Sequence, residues 1–252
     1  MSKVRFETNE TITRITLADP PLNILDIPML TELRDALGRV DNGSALLVID
    51  AEGPKAFSAG ASVQDHMGDR IETMLGTFHD CFRLLHRLEM PTLARVNGAA
   101  LGGGCELALA FDFVLASDAS RFGQPEINLG VFPPVAAYQL SRQVPPRRGL
   151  ELLLRGMPVD AATALQLGMV NAVFPAASFE TDAQKWIDTL LAQSASSLRF
   201  AKRAFRMAAP DDFEEKLARV ERMYMDELMK TSDANEGLNA FIEKRKPQWR
   251  GE

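Results

Sequence analysis

The chain has 252 residues, of which 46% are hydrophobic, 25% charged and 7% aromatic. That balance supplies one sizeable core and excludes a disordered or fibrous protein. The formal net charge of −6 repels polyanions, so non-specific nucleic-acid binding is not expected, and a phosphorylated ligand would need a local basic site.

Residues 4–17 alternate around Asn9-Glu10, with Ile12, Ile15 and Leu17 on an apolar face, and predict a β-hairpin or two short strands. From Pro28 to Val40 the apolar positions Met29, Leu30, Leu33, Leu37 and Val40 form one helical stripe. Ala45–Asp50 reads as a buried strand. A long amphipathic helix over 69–89 stops before Pro91, strand Thr92–Asn97 follows, and Phe111–Ser117 is a further strand. Strands alternating with helices imply a mostly parallel sheet, whose ligands gather at the carboxyl ends of the strands, so the loops after Asp50 and Asn97 are the places to look.

Beyond about residue 135 the pattern is helical, with segments expected near 136–143, 147–155, 160–167, 179–192, 196–208, 211–230 and 233–244. No repeat of solenoid period is present. The change to helix near 195 suggests a core over 1–194 and a helical region over 195–252.

The sequence MSKVRFETNE has no apolar signal-peptide core, and no stretch reaches the roughly 18 uninterrupted apolar residues of a membrane span. The two cysteines, Cys81 and Cys105, cannot form a stapled framework, and Cys105, in an apolar stretch, is read as a buried free thiol. The expectation is a cytoplasmic protein with neither membrane nor nucleic acid among its partners.

The most informative segment runs Asn97-Gly98-Ala99-Ala100-Leu101-Gly102-Gly103-Gly104-Cys105-Glu106-Leu107. Consecutive glycines let a ligand approach the backbone, and free N–H groups at a helix start can bind a negative oxygen, although a plain tight turn explains glycines equally well. The run is neither a dinucleotide fingerprint nor a P-loop. Glu106 tips the balance: from Ala99 to Ala116 only Glu106 and Asp112 are ionisable apart from Cys105, and a carboxylate among apolar residues is costly unless used or paired. Asp112 is read as a capping or ion-pair group.

A second acid, Glu126, lies in Phe122-Gly123-Gln124-Pro125-Glu126-Ile127, where Pro125 restrains its backbone. Alone it would more often be a surface acid; together the two glutamates flank a return strand that can bring them to one place. A third segment, Pro54-Lys55-Ala56-Phe57-Ser58-Ala59-Gly60-Ala61-Ser62, is rich in small residues and could supply another backbone donor, or be a plain loop in which Ser62 caps Val63–Met67.

Taken in order, these segments resemble the crotonase (enoyl-CoA hydratase/isomerase) superfamily, with its A-F-x-A-G-A loop, L-G-G-G-x-E-L turn and F-G-Q-P-E motif. The resemblance implies an α/β fold, a crotonase-like spiral of ββα units with a C-terminal helical region, assembled as a homotrimer or homohexamer. It implies an acyl-CoA thioester substrate, an oxyanion hole at the N–H groups of Ala61 and Gly103, and Glu106 and Glu126 as the catalytic acids. Lys55, Ala59, Ser62 and His66 of the loop, with Phe241 and Lys244 of the tail, are the implied substrate- or CoA-binding residues, the tail often being a neighbouring subunit's. No cofactor is implied beyond the coenzyme A that the substrate carries.

A narrower likeness, in G-A-S-V-x-x-H-M at 60–67, F-G-Q-P-E-I-x-L-G-V-F at 122–132, S-A-S-S-L-R-F-A at 194–201 and D-A-x-E-G-L at 233–238, is to the cyclohexa-1,5-diene-1-carbonyl-CoA hydratases of anaerobic benzoyl-CoA degradation. Linear enoyl-CoA hydratases usually carry Asp in place of Ser62. Hydration of short linear enoyl-CoAs stays open, as does a non-catalytic CoA- or RNA-binding role. His66, His79 and His86 lack any H-x-x-x-H or C-x-x-C companion and predict no metal site. Tyr138 and Tyr224 receive no catalytic role.

Overall fold

The computed structural model describes residues 2–9, 11–41, 43–208 and 212–251. Strands β1 (Val4–Thr8) and β2 (Ile12–Leu17) pair antiparallel as the alternation predicts, with Val4 opposite Leu17. Asn9 Oδ1 accepts the Thr11 and Ile12 N–H groups at the turn, while Glu10 lies outside the described residues. Helix α1 (Ile27–Gly38) starts at Asp26, whose side chain accepts from Met29 N, with Pro28 in the first turn where a missing N–H costs nothing.

The chain then enters a repeating path. Strand β3 (Leu46–Ala51), strand β4 (Ala56–Ser58) and helix α2 (Arg70–Arg87) make one ββα unit. Strands β5 (Thr92–Val96) and β6 (Ala99–Leu101) with helix α3 (Gly103–Leu109) make the next. Strands β7 (Phe113–Ser117) and β8 (Arg121–Gly123) begin a third, followed by a 3-10 turn over Pro125–Leu129 and helix α4 (Pro134–Gln143). The first strand of each unit joins one sheet and the second joins another, so the chain winds as a spiral.

The larger sheet has the order β1-β2-β3-β5-β7-β10, parallel from β2 onward, with β10 at Ala172–Phe174. The smaller has the order β4-β6-β8-β9, with β9 at Val159–Asp160. The spiral is invisible as a sequence repeat because its arms differ: α2 has 18 residues and α3 has 7. The uniform helical pattern expected after residue 135 is corrected by β9 and β10, which are too short to show a period of two.

Both faces of the larger sheet are covered, which is why its strands read as continuous apolar runs. Ile15, Leu17, Leu47, Ile49, Ala94 and Val96 face the main core with α1 and α2. Leu46, Val48, Leu93 and Leu115 face Phe179, Ala183 and Ile187 of helix α7 (Phe179–Leu191). Between these lie α5 (Pro146–Arg155) and α6 (Ala161–Gln166). The tail consists of α8 (Ala195–Ala208), α9 (Phe213–Asp226) and α10 (Ser232–Ile242), and α9 returns to α2 through His79–Glu221 at 2.5 Å and Arg83–Glu221 at 2.8 Å.

Asp112 is the ion-pair group expected. It accepts the Thr92 N–H (2.8 Å) and hydroxyl (2.9 Å) and pairs with Lys202 of α8 at 2.5 Å, while Lys202 also donates to Met90 O at 2.6 Å. Burial pulls the Lys202 ammonium down to about 8, against the opposing pull of Asp112. Asp112→Ala strands this cation and two donors of β5, and thermal unfolding is expected to show a loss of about 3 kcal/mol. A loss below about 1 kcal/mol would mean that α8 is held by apolar packing alone.

Candidate functional site

Helix α3 starts where β6 meets Gly102, whose φ of +52° and ψ of −129° suit only glycine. Gly102 N donates to Gly123 O at 2.8 Å, which ties the glycine turn to the segment carrying Glu126. One turn into α3, Glu106 is 2% exposed; its Oε1 accepts Ala136 N at 2.7 Å and its carbonyl accepts Gln139 Nε2 at 3.0 Å. Glu126 projects from the 3-10 turn back over Gly102, so that a Cβ added at Gly102 would lie 2.4 Å from Glu126 Oε1. Glu126 Oε2 is enclosed and has no hydrogen-bond partner among the described residues.

The carboxyls are therefore neighbours, not surface acids. Burial raises the Glu106 carboxyl to about 7 despite the Ala136 and Val135 N–H groups. Burial and then the charge of Glu106 hold Glu126 well above the ordinary carboxylate range. Such a pair keeps a proton near neutral pH and titrates as a unit.

Both carboxyls line a cavity of about 430 Å³ that also receives Ala59, Gly60, Ala61 and His66 from the small-residue loop. Parallel bridging of Leu25 to this loop uses Gly60 O and Ser62 N and leaves the Ala61 N–H turned away. Neither the Ala61 N–H nor the Gly103 N–H has an acceptor among the described residues. The two sit side by side: a Cβ built on Gly103 would lie 3.3 Å from Ala61 N, and one built on Gly60 would lie 3.6 Å from Gly103 N.

Of the other residues singled out by sequence, Ala59, His66 and Phe241 line the cavity. His66 Nδ1 donates to Ser62 O at 2.9 Å, and burial lowers its pKa, favouring the neutral ring. Lys55, Ser62 and Lys244 lie outside the lining. Lys55 is exposed and its carbonyl accepts Ala99 N. The Ser62 side chain makes no capping bond, and it is the Ser62 carbonyl that takes the Asp65 N–H and the His66 ring. Lys244 is exposed, and its neighbour Arg245 lines the cavity instead, paired with Glu236 and Glu243.

Sequence reasoning missed Tyr224 and the wall around it. Tyr224 of α9 is 1% exposed and lines the same cavity, as do Phe78 and Phe132. The signal available was its place on the apolar stripe Phe213, Leu217, Tyr224, all buried. Among the described residues no group of three or more His, Cys, Asp or Glu is placed to hold a metal ion, and no helix is long and apolar enough to cross a membrane.

Comparison with known proteins places the chain in a family. The profile of the family described as Enoyl-CoA hydratase/isomerase matches residues 7–252. The chain is 41% identical to the cyclohexa-1,5-dienecarbonyl-CoA hydratase of Thauera aromatica, over 98% of this chain and 96% of that protein. It is 37% identical to a probable enoyl-CoA hydratase of Mycobacterium bovis, over 98% and 97%. The crystal structure of an enoyl-CoA hydratase from Mycobacterium avium subsp. paratuberculosis superposes with a TM-score of 0.87 at 28% identity, covering 98% of each chain. With the ββα spiral, the motif order and these likenesses in agreement, the chain belongs to the enoyl-CoA hydratase/isomerase family.

Proposed function

We propose that this chain is a hydro-lyase that adds water to the conjugated double bond of an acyl-CoA thioester, with the ring of cyclohexa-1,5-diene-1-carbonyl-CoA as its acyl group. One observation carries the reading: Glu106 and Glu126 share a single cavity with the acceptor-free N–H groups of Ala61 and Gly103.

In this reading the thioester oxygen lies between the two N–H groups, which meet the negative charge that builds there when water attacks. Each donor contributes about 2.7–4 kcal/mol to barrier lowering. The water oxygen bonds to the ring carbon β to the carbonyl as its proton passes to one glutamate, and the double-bond electrons move onto the thioester oxygen as a dienolate. Collapse of the dienolate takes a proton at the far carbon of the second double bond, giving 6-hydroxycyclohex-1-ene-1-carbonyl-CoA. A carboxyl pair that retains one proton near neutrality can both accept and supply.

The ring is supported by the likeness to the Thauera enzyme and by the broad apolar wall of Met74, Leu75, Phe78 and Phe132. Phe241 at the cavity, with the exposed Lys55 and Lys244, is proposed to contact the coenzyme A moiety. Self-association as a homotrimer or homohexamer is proposed on the exposed Phe200, Phe205 and Met207 of α8. A second reading, hydration of short linear enoyl-CoAs, is favoured by a 32% identity to the short-chain-enoyl-CoA hydratase of Clostridium acetobutylicum, over 98% of this chain and 97% of that protein. Turnover of cyclohexa-1,5-diene-1-carbonyl-CoA is expected to exceed that of crotonyl-CoA by at least about tenfold in kcat/KM, the scale on which a pocket separates substrates differing by a few carbons. Preference for crotonyl-CoA would overturn the ring assignment, and turnover of neither would overturn hydration.

A further inference from the structure

The cavity wall carries a polar group that the two-carboxyl scheme does not use. Tyr224 comes from α9, in the C-terminal region, and its ring is held edge-to-face on Phe132, with centroids 5.3 Å apart and planes at 79°. The ring is buried in the apolar core, and its hydroxyl makes no hydrogen bond among the described residues. A buried phenol ordinarily finds a partner. This one faces the cavity shared by Glu106 and Glu126, and after burial the charges of both carboxyls raise its pKa, Glu126 more than Glu106. The phenol therefore stays protonated and available as a donor across the pH range in which the carboxyl pair titrates.

Besides the Ala61 and Gly103 N–H groups, the cavity thus holds two side-chain atoms with no protein partner among the described residues, the Tyr224 hydroxyl and the enclosed Glu126 Oε2. An oxygen placed between them, donating to Glu126 and accepting from Tyr224, satisfies both. We propose that the Tyr224 hydroxyl contacts the substrate oxygen of the hydration site, holding the reacting water before addition and the same atom as the product hydroxyl afterwards. The proposal rests on the hydratase reading above. It gives the C-terminal region a part in the chemistry, because α9 supplies a donor to the cavity that both glutamates line. No covalent step is assigned to the phenol: it donates one hydrogen bond throughout, and protons move between the oxygen and the glutamates.

Tyr224→Phe keeps the ring on Phe132 and removes only the hydroxyl. The discriminating measurement is ligand affinity by calorimetry for two pairs of thioesters: 6-hydroxycyclohex-1-ene-1-carbonyl-CoA against cyclohex-1-ene-1-carbonyl-CoA, and 3-hydroxybutyryl-CoA against butyryl-CoA. The native protein is expected to favour the hydroxylated member of its preferred pair, and Tyr224→Phe to lose roughly three- to tenfold in that member alone. Turnover should fall by about tenfold or more in both directions, with the affinity for the hydroxyl-free thioester and the melting temperature unchanged. Equal weakening of both members would assign Tyr224 to packing and overturn the proposal, as would discrimination equal to that of the native protein. A native protein that hydrates neither substrate would remove the proposed function and this contact with it, whereas native activity with an unaltered Tyr224→Phe would remove only the contact.

Discussion

Replacing Glu106 or Glu126 by glutamine is expected to lower hydration turnover by about two to four orders of magnitude, the range carried by positioned acid–base groups. Glutamine retains the volume of each side chain and, at Glu106, an oxygen that can still accept the Ala136 N–H. What it removes is a titratable proton. The fold should persist, and the pH dependence of its stability supplies a second reading. A carboxyl raised from 4.5 to about 7 holds its proton in the folded state after the unfolded chain has released it. Stability therefore falls as pH rises from about 4.5 to about 7 and levels off above, at a cost on the order of 3 kcal/mol for Glu106. Glu106→Gln abolishes that loss, so the melting temperature of the variant relative to the native protein should climb between pH 5 and pH 8. Steady-state hydration and thermal melts at the two pH values check both parts. Turnover within tenfold of native for either glutamine variant would sink the two-carboxyl scheme, and a relative melting temperature that is flat with pH would show that Glu106 ionises without cost in the folded protein.

Much of this site was legible in sequence because its signals are chemical and local. Glu106 stood out as a carboxylate in an apolar stretch, and burial bears out why it had to be either used or paired. The stripe of α2 and the apolar runs of β3 and β5 are long enough to carry a period or to display its absence. Strands β4, β6 and β8 have three residues each and carry no pattern, so the second sheet, which sets the glycine turn against the small-residue loop, was not visible. Glu126 resisted for another reason: alone it reads as a surface acid, and only the missing Cβ of Gly102 makes room for its carboxyl beside α3. Tyr224 was hidden by distance, since 98 residues separate it from Glu126 and nothing in the amphipathic pattern of α9 distinguishes a core tyrosine from one at a cavity wall. Choosing between Lys244 and Arg245 as the neighbour of the cavity depends on where α10 ends, and helix ends are the least determined feature of a sequence pattern.

Gly104→Ala is expected to reduce turnover by at least about a hundredfold without touching a side chain of the site. An added Cβ would lie 2.4 Å from the carbonyl oxygen of Ser58 and 2.7 Å from its Cβ. Both atoms belong to β4, which is buried and paired with β6, so a flexible side chain cannot swing aside to absorb the clash. Relief has to come from a shift of the start of α3 away from the loop that follows β4, and those two segments carry the Gly103 and Ala61 N–H groups. Their separation is thus set by the glycine, and a displacement that spoils the approach of one donor to the developing oxyanion forfeits about 2.7–4 kcal/mol of barrier lowering. Overpacking should also cost roughly 1–3 kcal/mol of stability. Gly76→Ala provides the contrast: its Cβ meets nothing within 4 Å in the exposed face of α2, so this change is expected to stabilise by up to about 1 kcal/mol and leave turnover alone. Kinetics and melts of the two variants separate a helix-propensity effect from a positional one. A Gly104→Ala protein that is destabilised yet turns over within a few-fold of native would show that the spacing of the two amides does not limit the reaction, since the start of α3 cannot accept that Cβ and stay where it is.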